Sequence, residues 1–248
     1  MYMIPYFHFT TIPLGPISIQ VWGTMVALGI LAGAWAAARM AEHRGQNPKF
    51  IWDLTFWVVL GAFLFAKLFM VFYDPLAILA TSGFSLIGGF IGAMLFGIVF
   101  LRKKQVDVWA YSDTAVFGLP LGLCIGRIGC FLIHDHPGTL SDSILAVAYP
   151  DGDRLDHGLL LSMNGLLLFL AFLLLAKRRA QTGTYLIVFL IWYGIVRFIL
   201  DFYRAVDGPI VDARFFGLTP AQYASVVMGC VGLWYLWKRN PWRQRSNV

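Results

Sequence analysis

Seven stretches of nearly continuous apolar residues, parted by short polar or charged segments, set the first picture of this chain. They run over about 18–38, 51–73, 84–101, 108–131, 158–176, 184–202 and 220–237. Each approaches the roughly 20 residues that a helix needs to cross a bilayer. The apolar character is continuous rather than alternating. In lipid the backbone of a spanning segment must find its hydrogen bonds internally, so the pattern predicts helices and not a barrel. The first sixteen residues and the stretch from Leu132 to Asp156 are too polar or too broken to span. The expected fold class is all-α: a polytopic membrane protein of seven transmembrane helices. It forms a single integral membrane domain over 1–248, with an outer loop at 132–157 between spans four and five.

Charge gives the pattern a direction. Of the 19 Lys and Arg residues, 13 follow spans one, three, five and seven, from Arg39 and Arg44 to Arg243 and Arg245. The opposite side carries only Arg154, Arg204 and Arg214, together with acidic residues such as Asp74, Asp135, Asp151, Asp207 and Asp212. By the positive-inside rule the N-terminus is outside and the C-terminus cytoplasmic. Aromatic residues at span ends, including Trp22, Trp52, Tyr73, Trp109 and Trp237, read as an interfacial belt.

Composition agrees. Of 248 residues 59% are hydrophobic and 13% charged, about half the charge of a soluble domain; the mean hydropathy is +0.71. The net charge of +6 sits at span ends, where topology uses it, so no nucleic-acid partner is expected. Cys124, Cys130 and Cys230 lie in or beside apolar runs without CxxC or zinc-type spacing and read as packing residues. Residues 1–16 lack Lys and Arg, so no cleavable signal peptide is expected.

The polar residues inside the spans carry the candidate chemistry. Gly118, Gly122, Gly126 and Gly129 line span four and suit close helix packing. Between them Arg127 is a permanent cation near the outer end of an apolar helix, which calls for a cavity and a partner, or for snorkelling to the interface. In span six Arg197, Asp201 and Arg204 stand at i, i+4 and i+7, on one stripe that Tyr193 opens. Two arginines around one aspartate leave surplus positive charge, and the guanidinium fork suits phosphate. A balanced structural ion-pair network is the alternative. Lys67 in span two either joins the same cavity or is a neutral amine among apolar groups. After span four, His134-Asp135-His136 has the make-up of a general base, and equally of a plain polar turn. Sequence neighbours seldom all ligate one ion, so no metal is expected. Arg154, Asp156 and His157 read as a capped helix start.

Five segments, in order, resemble the prolipoprotein diacylglyceryl transferase family. Gly126-Arg127-Ile128-Gly129-Cys130-Phe131 is similar to its Gly-Arg-x-Gly-Asn-Phe motif, and Asp135 falls where the family has glutamate. Gly15 to Ile19 resembles the opening motif, and Gly88-Gly89-Phe90-Ile91-Gly92 the His-Gly-Gly helix. Arg197 to Arg204 resembles Arg-x-x-x-Glu-Phe-x-Arg, with Asp201 for glutamate, and Leu218 to Gln222 the start of the last helix. The resemblance implies a bacterial inner-membrane transferase that moves the diacylglyceryl group of an anionic phospholipid, phosphatidylglycerol, onto a lipobox cysteine of a prolipoprotein, without a cofactor. It implies headgroup binding by Arg127, Arg197, Arg204, Asp201, Tyr193 and Lys67; His134 and His136 are extra polar groups by comparison with the family, and the expected base is one of them with Asp135. Gly126, Gly129, Cys130, Gly88, Gly89, Arg154 and Asp156 are secondary site residues. The chain departs from the family at Ile87 (histidine), Cys130 and Ile133 (asparagines), Trp22 (tyrosine) and Lys67 (arginine). These departures leave open a paralogue with another acceptor, or a non-catalytic phospholipid-binding or transport protein.

Overall fold

A computed structural model describes residues 3–72, 84–207 and 214–239; Tyr73, Asp74, Asp212, Arg243 and Arg245 lie outside them. The chain is mostly helical, at 69%. Among the described residues there are seven α-helices: α1 (Val21–His43), α2 (Pro48–Leu68), α3 (Leu86–Lys103), α4 (Val108–Ile133), α5 (His157–Lys177), α6 (Thr184–Leu200) and α7 (Pro220–Arg239). A 3₁₀ turn extends α2 over Phe69–Phe72, and another extends α6 over Asp201–Tyr203. Helices α1, α2, α4, α5 and α6 are the five found long and apolar enough to cross a membrane.

The all-α expectation omits short strands at the polar ends of the helices. Strands β1 (Ile4–Pro5), β4 (Pro137–Leu140), β5 (Ala146–Tyr149) and β6 (Gly152–Asp156) form one sheet in the order β1-β5-β6-β4. Strands β2 (Thr11–Leu14) and β3 (Ile17–Gln20) form a separate antiparallel hairpin leading into α1. The long outer loop is thus largely strand: β5 and β6 pair antiparallel, and β1 adds parallel to β5. Ala146 and Val147 are fully buried, which anchors this small sheet.

Two compact units are distinguishable, residues 1–33 with 116–248, and residues 34–115. In the first, the small residues of α1 and α4 let the backbones meet. A Cβ on Gly29 would lie 2.6 Å from the Gly122 carbonyl oxygen, so no larger residue fits there without movement. In the second, α2 and α3 meet in the same way, and a Cβ on Gly92 would lie 2.1 Å from the Gly61 carbonyl oxygen. Ala37, Ala41, Ile51, Leu54, Phe100 and Leu101 form the core of this second unit. Arg44 donates to the fully buried Asp113 at 2.8 Å, which satisfies that carboxylate internally.

Candidate active site

The first unit gathers its polar side chains at the ends of α4, α5 and α6. Helix α4 ends with Arg127 and Cys130 on one face, and Arg127 Nη1 donates to Cys130 Sγ at 3.8 Å. The loop then turns back so that a carboxylate oxygen of Asp135, a ring nitrogen of His136 and Cys130 Sγ all lie within 4.8 Å of one another. His136 is tied in place by its backbone, whose carbonyl accepts from the His157 N–H at 3.1 Å.

His157 opens α5 and carries the contact to α6. Its Nε2 accepts from Arg197 Nη1 at 2.9 Å; with an arginine as donor, that nitrogen bears the lone pair. Arg197 also makes a very short contact to Asp201 Oδ1, and Thr219 Oγ1 donates to the other oxygen of Asp201. Asp201 is completely buried. Such a carboxylate is stable only when its oxygens are occupied, and here both are. Arg204 Nη1 lies 3.9 Å from Asp201 as well. The spacing of Arg197, Asp201 and Arg204 therefore produces the stripe that helical periodicity predicts.

Charge does not balance across this cluster. The fields of Arg197, Arg204, Arg127 and His136 all reach His157. Three guanidiniums stand against two carboxylates, Asp201 and Asp135. A half-buried surplus of positive charge on planar donors is suited to an anionic oxygen group.

The His134-Asp135-His136 segment is not one functional group. His134 has φ +48°, a left-handed conformation, and its ring turns away into a buried box. There Nδ1 lies 2.8 Å from Asp156 Oδ2, and the Tyr149 hydroxyl donates to that same oxygen at 2.6 Å. Tyr6 stacks on the imidazole at 4.8 Å between centroids. Burial, and then the hydrogen bond to Asp156, push the Tyr149 phenol above its usual range, so it stays a donor. Asp156 also caps α5, accepting from Leu159 N at 3.0 Å. His136 faces the other way: its side chain is about one-third exposed and its Nδ1 is 2.5 Å from Asp135 Oδ1.

Arg154 belongs to a clamp beside the site. It holds Asp207 through two hydrogen bonds of 3.0 and 2.9 Å and donates to the Gly138 carbonyl at 3.1 Å. Asp207 and Asp151 hold the guanidinium above its ordinary pKa, while Arg154 holds the Asp207 carboxyl below the usual range. Gly138 is pressed between strands and turn: a Cβ there would lie 2.3 Å from the Leu155 oxygen and 2.7 Å from the Tyr203 oxygen. The clamp thus fixes β4, and with it the turn that presents Asp135 and His136.

The remaining predicted residues serve packing or stand elsewhere. Tyr193 stacks on Phe189 at 5.2 Å. Gly126 faces α1, where its N–H would lie 3.2 Å from a Cβ on Gly29, and Gly129 packs against Met25 and Trp22. Lys67, Gly88 and Gly89 belong to the 34–115 unit. There the Lys67 amine lies 5.5 Å from the Phe84 ring centroid, and Gly88 packs on the Phe65 carbonyl. Sequence reasoning passed over His157 and Thr219 as partners of the arginine stripe. The signal for His157 was its place directly after the capping aspartate, at the start of an apolar helix.

A mostly helical membrane protein with a cationic, partly buried polar centre at its helix ends is a class suited to handling anionic groups beside lipid. Comparison with known proteins narrows that class. Residues 10–238 match the family model for prolipoprotein diacylglyceryl transferase. The chain is 32% identical to the phosphatidylglycerol–prolipoprotein diacylglyceryl transferase of Solidesulfovibrio magneticus, over 97% of this chain and 98% of that one. It is 30% identical to the enzyme of that name from Chromohalobacter salexigens (90% and 88% covered) and 31% identical to that from Brucella canis (92% and 90%). The chain belongs to the prolipoprotein diacylglyceryl transferase family.

Proposed function

We propose that this protein transfers the diacylglyceryl group of phosphatidylglycerol to the lipobox cysteine thiol of a prolipoprotein, releasing glycerol phosphate. The observation that carries this reading is the convergence of Arg127, Arg197 and Arg204 on the ends of α4 to α6 with fewer carboxylates than guanidiniums. In the reaction the thiolate sulfur attacks the glycerol carbon that bears the phosphate. A sulfur–carbon bond forms, the carbon–oxygen bond breaks, and the phosphate leaves with that oxygen. The phosphodiester carries one negative charge and the departing monoester gains a second. Cations fixed beforehand at that oxygen favour the transition state over the bound lipid.

Arg127, Arg197 and Arg204 hold the phosphate, and Asp201 orients the arginines. His136, polarised by Asp135, takes the thiol proton; His134 positions that pair through the turn. Support for His136 as base comes from its exposure and its carboxylate neighbour. The chain acts as one seven-span domain of the bacterial inner membrane, with its N-terminus outside, in keeping with 13 basic residues following alternate spans.

A second reading keeps the lipid donor and changes the acceptor. It is favoured by Cys130 and Trp22, which stand at positions where the family carries asparagine and tyrosine. Expression in bacteria depleted of their own transferase tests both. Restored lipoprotein modification is the expected result. Correct membrane insertion without restoration overturns the first reading, and a new lipid product with unmodified lipoproteins supports the second.

A further inference from the structure

We propose that His157 touches the bound phospholipid directly, donating its Nδ1–H to an oxygen of the phosphate that the arginines hold. The neighbours of the ring locate its proton. Nε2 accepts from Arg197 Nη1 at 2.9 Å, and a guanidinium has no lone pair to offer in return. Nε2 therefore carries the lone pair, the imidazole is neutral, and its one proton sits on Nδ1. That donor is buried and has no hydrogen-bond partner among the described residues. The residue as a whole is 1% exposed, so bulk solvent does not reach it. A buried donor without an acceptor is costly, and a ligand oxygen entering the cluster would supply one.

The start of α5 is built to keep His157 among the arginines. Asp156 caps the helix, and the His157 backbone N–H is held by the His136 carbonyl. Gly158 then lets the first turn lie against the end of α4, where a Cβ would stand 2.7 Å from the Phe131 nitrogen. Arg197, Arg204 and Arg127 all act electrostatically on the ring, and three guanidiniums favour an anionic acceptor over a neutral one. The ring also aims Arg197. Its Nη1 has two protons; one goes to His157 Nε2 and the other to Asp201 Oδ1. Nη1 is thus spent within the protein, and Nε and Nη2 remain for the phosphate. A neutral N–H beside them adds a directed hydrogen bond without the repulsion that a fourth cation would bring.

This contact rests on the phosphate-holding role proposed above and adds one residue to it. Two substitutions separate it from a role in holding Arg197 alone. Glutamine reaches the position of Nε2, keeps an acceptor for Arg197 and loses the Nδ1–H. Asparagine keeps an N–H near the position of Nδ1 and loses that acceptor. If His157 served only to hold Arg197, H157Q would equal the parent and H157N alone would be impaired.

Full-length protein in detergent is titrated with phosphatidylglycerol, and binding is read by native mass spectrometry. H157Q should bind the lipid roughly tenfold or more weakly than the parent, with an unchanged melting temperature. In protein carrying isotope-labelled histidine, the lipid should move the Nδ1–H proton resonance of His157 downfield, a signal identified by its loss in H157Q or H157N. The shift is measured on the unsubstituted protein, so it decides even where a variant unfolds. A resonance unmoved by lipid that the parent binds overturns the proposal and leaves the phosphate-holding role standing. So does lipid binding by folded H157Q equal to that of the parent. A shift that inorganic phosphate produces at the same concentration assigns the contact to a free anion and overturns it as well. A parent that binds no phosphatidylglycerol overturns both this contact and the reading it rests on.

Discussion

His134 and His136 are separated by one residue and each faces an aspartate, yet they occupy opposite surroundings. His134 is 8% exposed, boxed by Tyr6, Tyr149 and Phe131, and its carboxylate partner also caps a helix. His134 Nδ1, the Tyr149 hydroxyl and Asp156 are tied to one another there, while His134 Nε2 is buried without a hydrogen-bond partner among the described residues. His136 keeps about one-third of its side chain open and shares its neighbourhood with Cys130 and the arginines. The left-handed turn at His134 is what sends the two rings apart. Chemical type and sequence proximity therefore do not assign roles here. Burial, and what each nitrogen touches, does.

Substitutions can press on this contrast from its strongest side to its weakest. Asp201→Ala removes the buried partner of Arg197 and Thr219 and leaves an uncompensated guanidinium. The expected cost is about 3–5 kcal/mol of stability, with loss of lipoprotein modification, measured by thermal unfolding in detergent and by transfer to a lipobox peptide. His136→Ala should lower the transfer rate by roughly 10²–10⁴-fold and move stability within about 0.5 kcal/mol. His134→Ala should do the reverse: a loss of about 1–3 kcal/mol, because Asp156 is left short of a buried partner, with activity falling only as the folded fraction falls. If His134→Ala instead abolishes activity in fully folded protein, the division of labour between the histidines is wrong.

The smallest effect belongs to the Arg154 clamp. The Asp207 carboxyl is held below its usual range by Arg154, so the folded state binds its proton less readily than the unfolded chain does. The contribution is complete above the ordinary aspartate value of about 3.9 and disappears as pH falls through the depressed folded value. Half of the Asp207 side chain is exposed, so solvent screens much of the pair. Asp207→Asn should lower the neutral plateau of the melting-temperature profile slightly and leave its acid end unchanged, so that the acid-side slope becomes smaller.

Much of this molecule was legible in its residues because the preference of apolar side chains for lipid outweighs the other forces on a membrane helix. Apolar runs located all seven helices within a few residues, and the Arg197, Asp201 and Arg204 spacing gave the stripe. The small sheet was not legible. Its strands are two to five residues long and rich in Gly, Pro and Asp, and their pairing depends on distant partners rather than on local periodicity. His134 and Asp156 are 22 positions apart, so no local pattern joins them. Asp135, one position away, was the natural but incomplete guess.

The pairing of Ile4–Pro5 with Val147–Ala148 has a consequence for the order in which the molecule is made. A strand near the start of the chain waits, without its partner, until more than half of the protein has left the ribosome. Closing so long a loop costs entropy that only the completed sheet repays. That same sheet holds Tyr6 against His134, and so sets the turn that carries Asp135 and His136. A nascent chain thus reaches the membrane with its arginines still unassembled into a site. Competence to hold a lipid headgroup comes late in synthesis, after the strand pairing that closes the first residues onto the loop between α4 and α5.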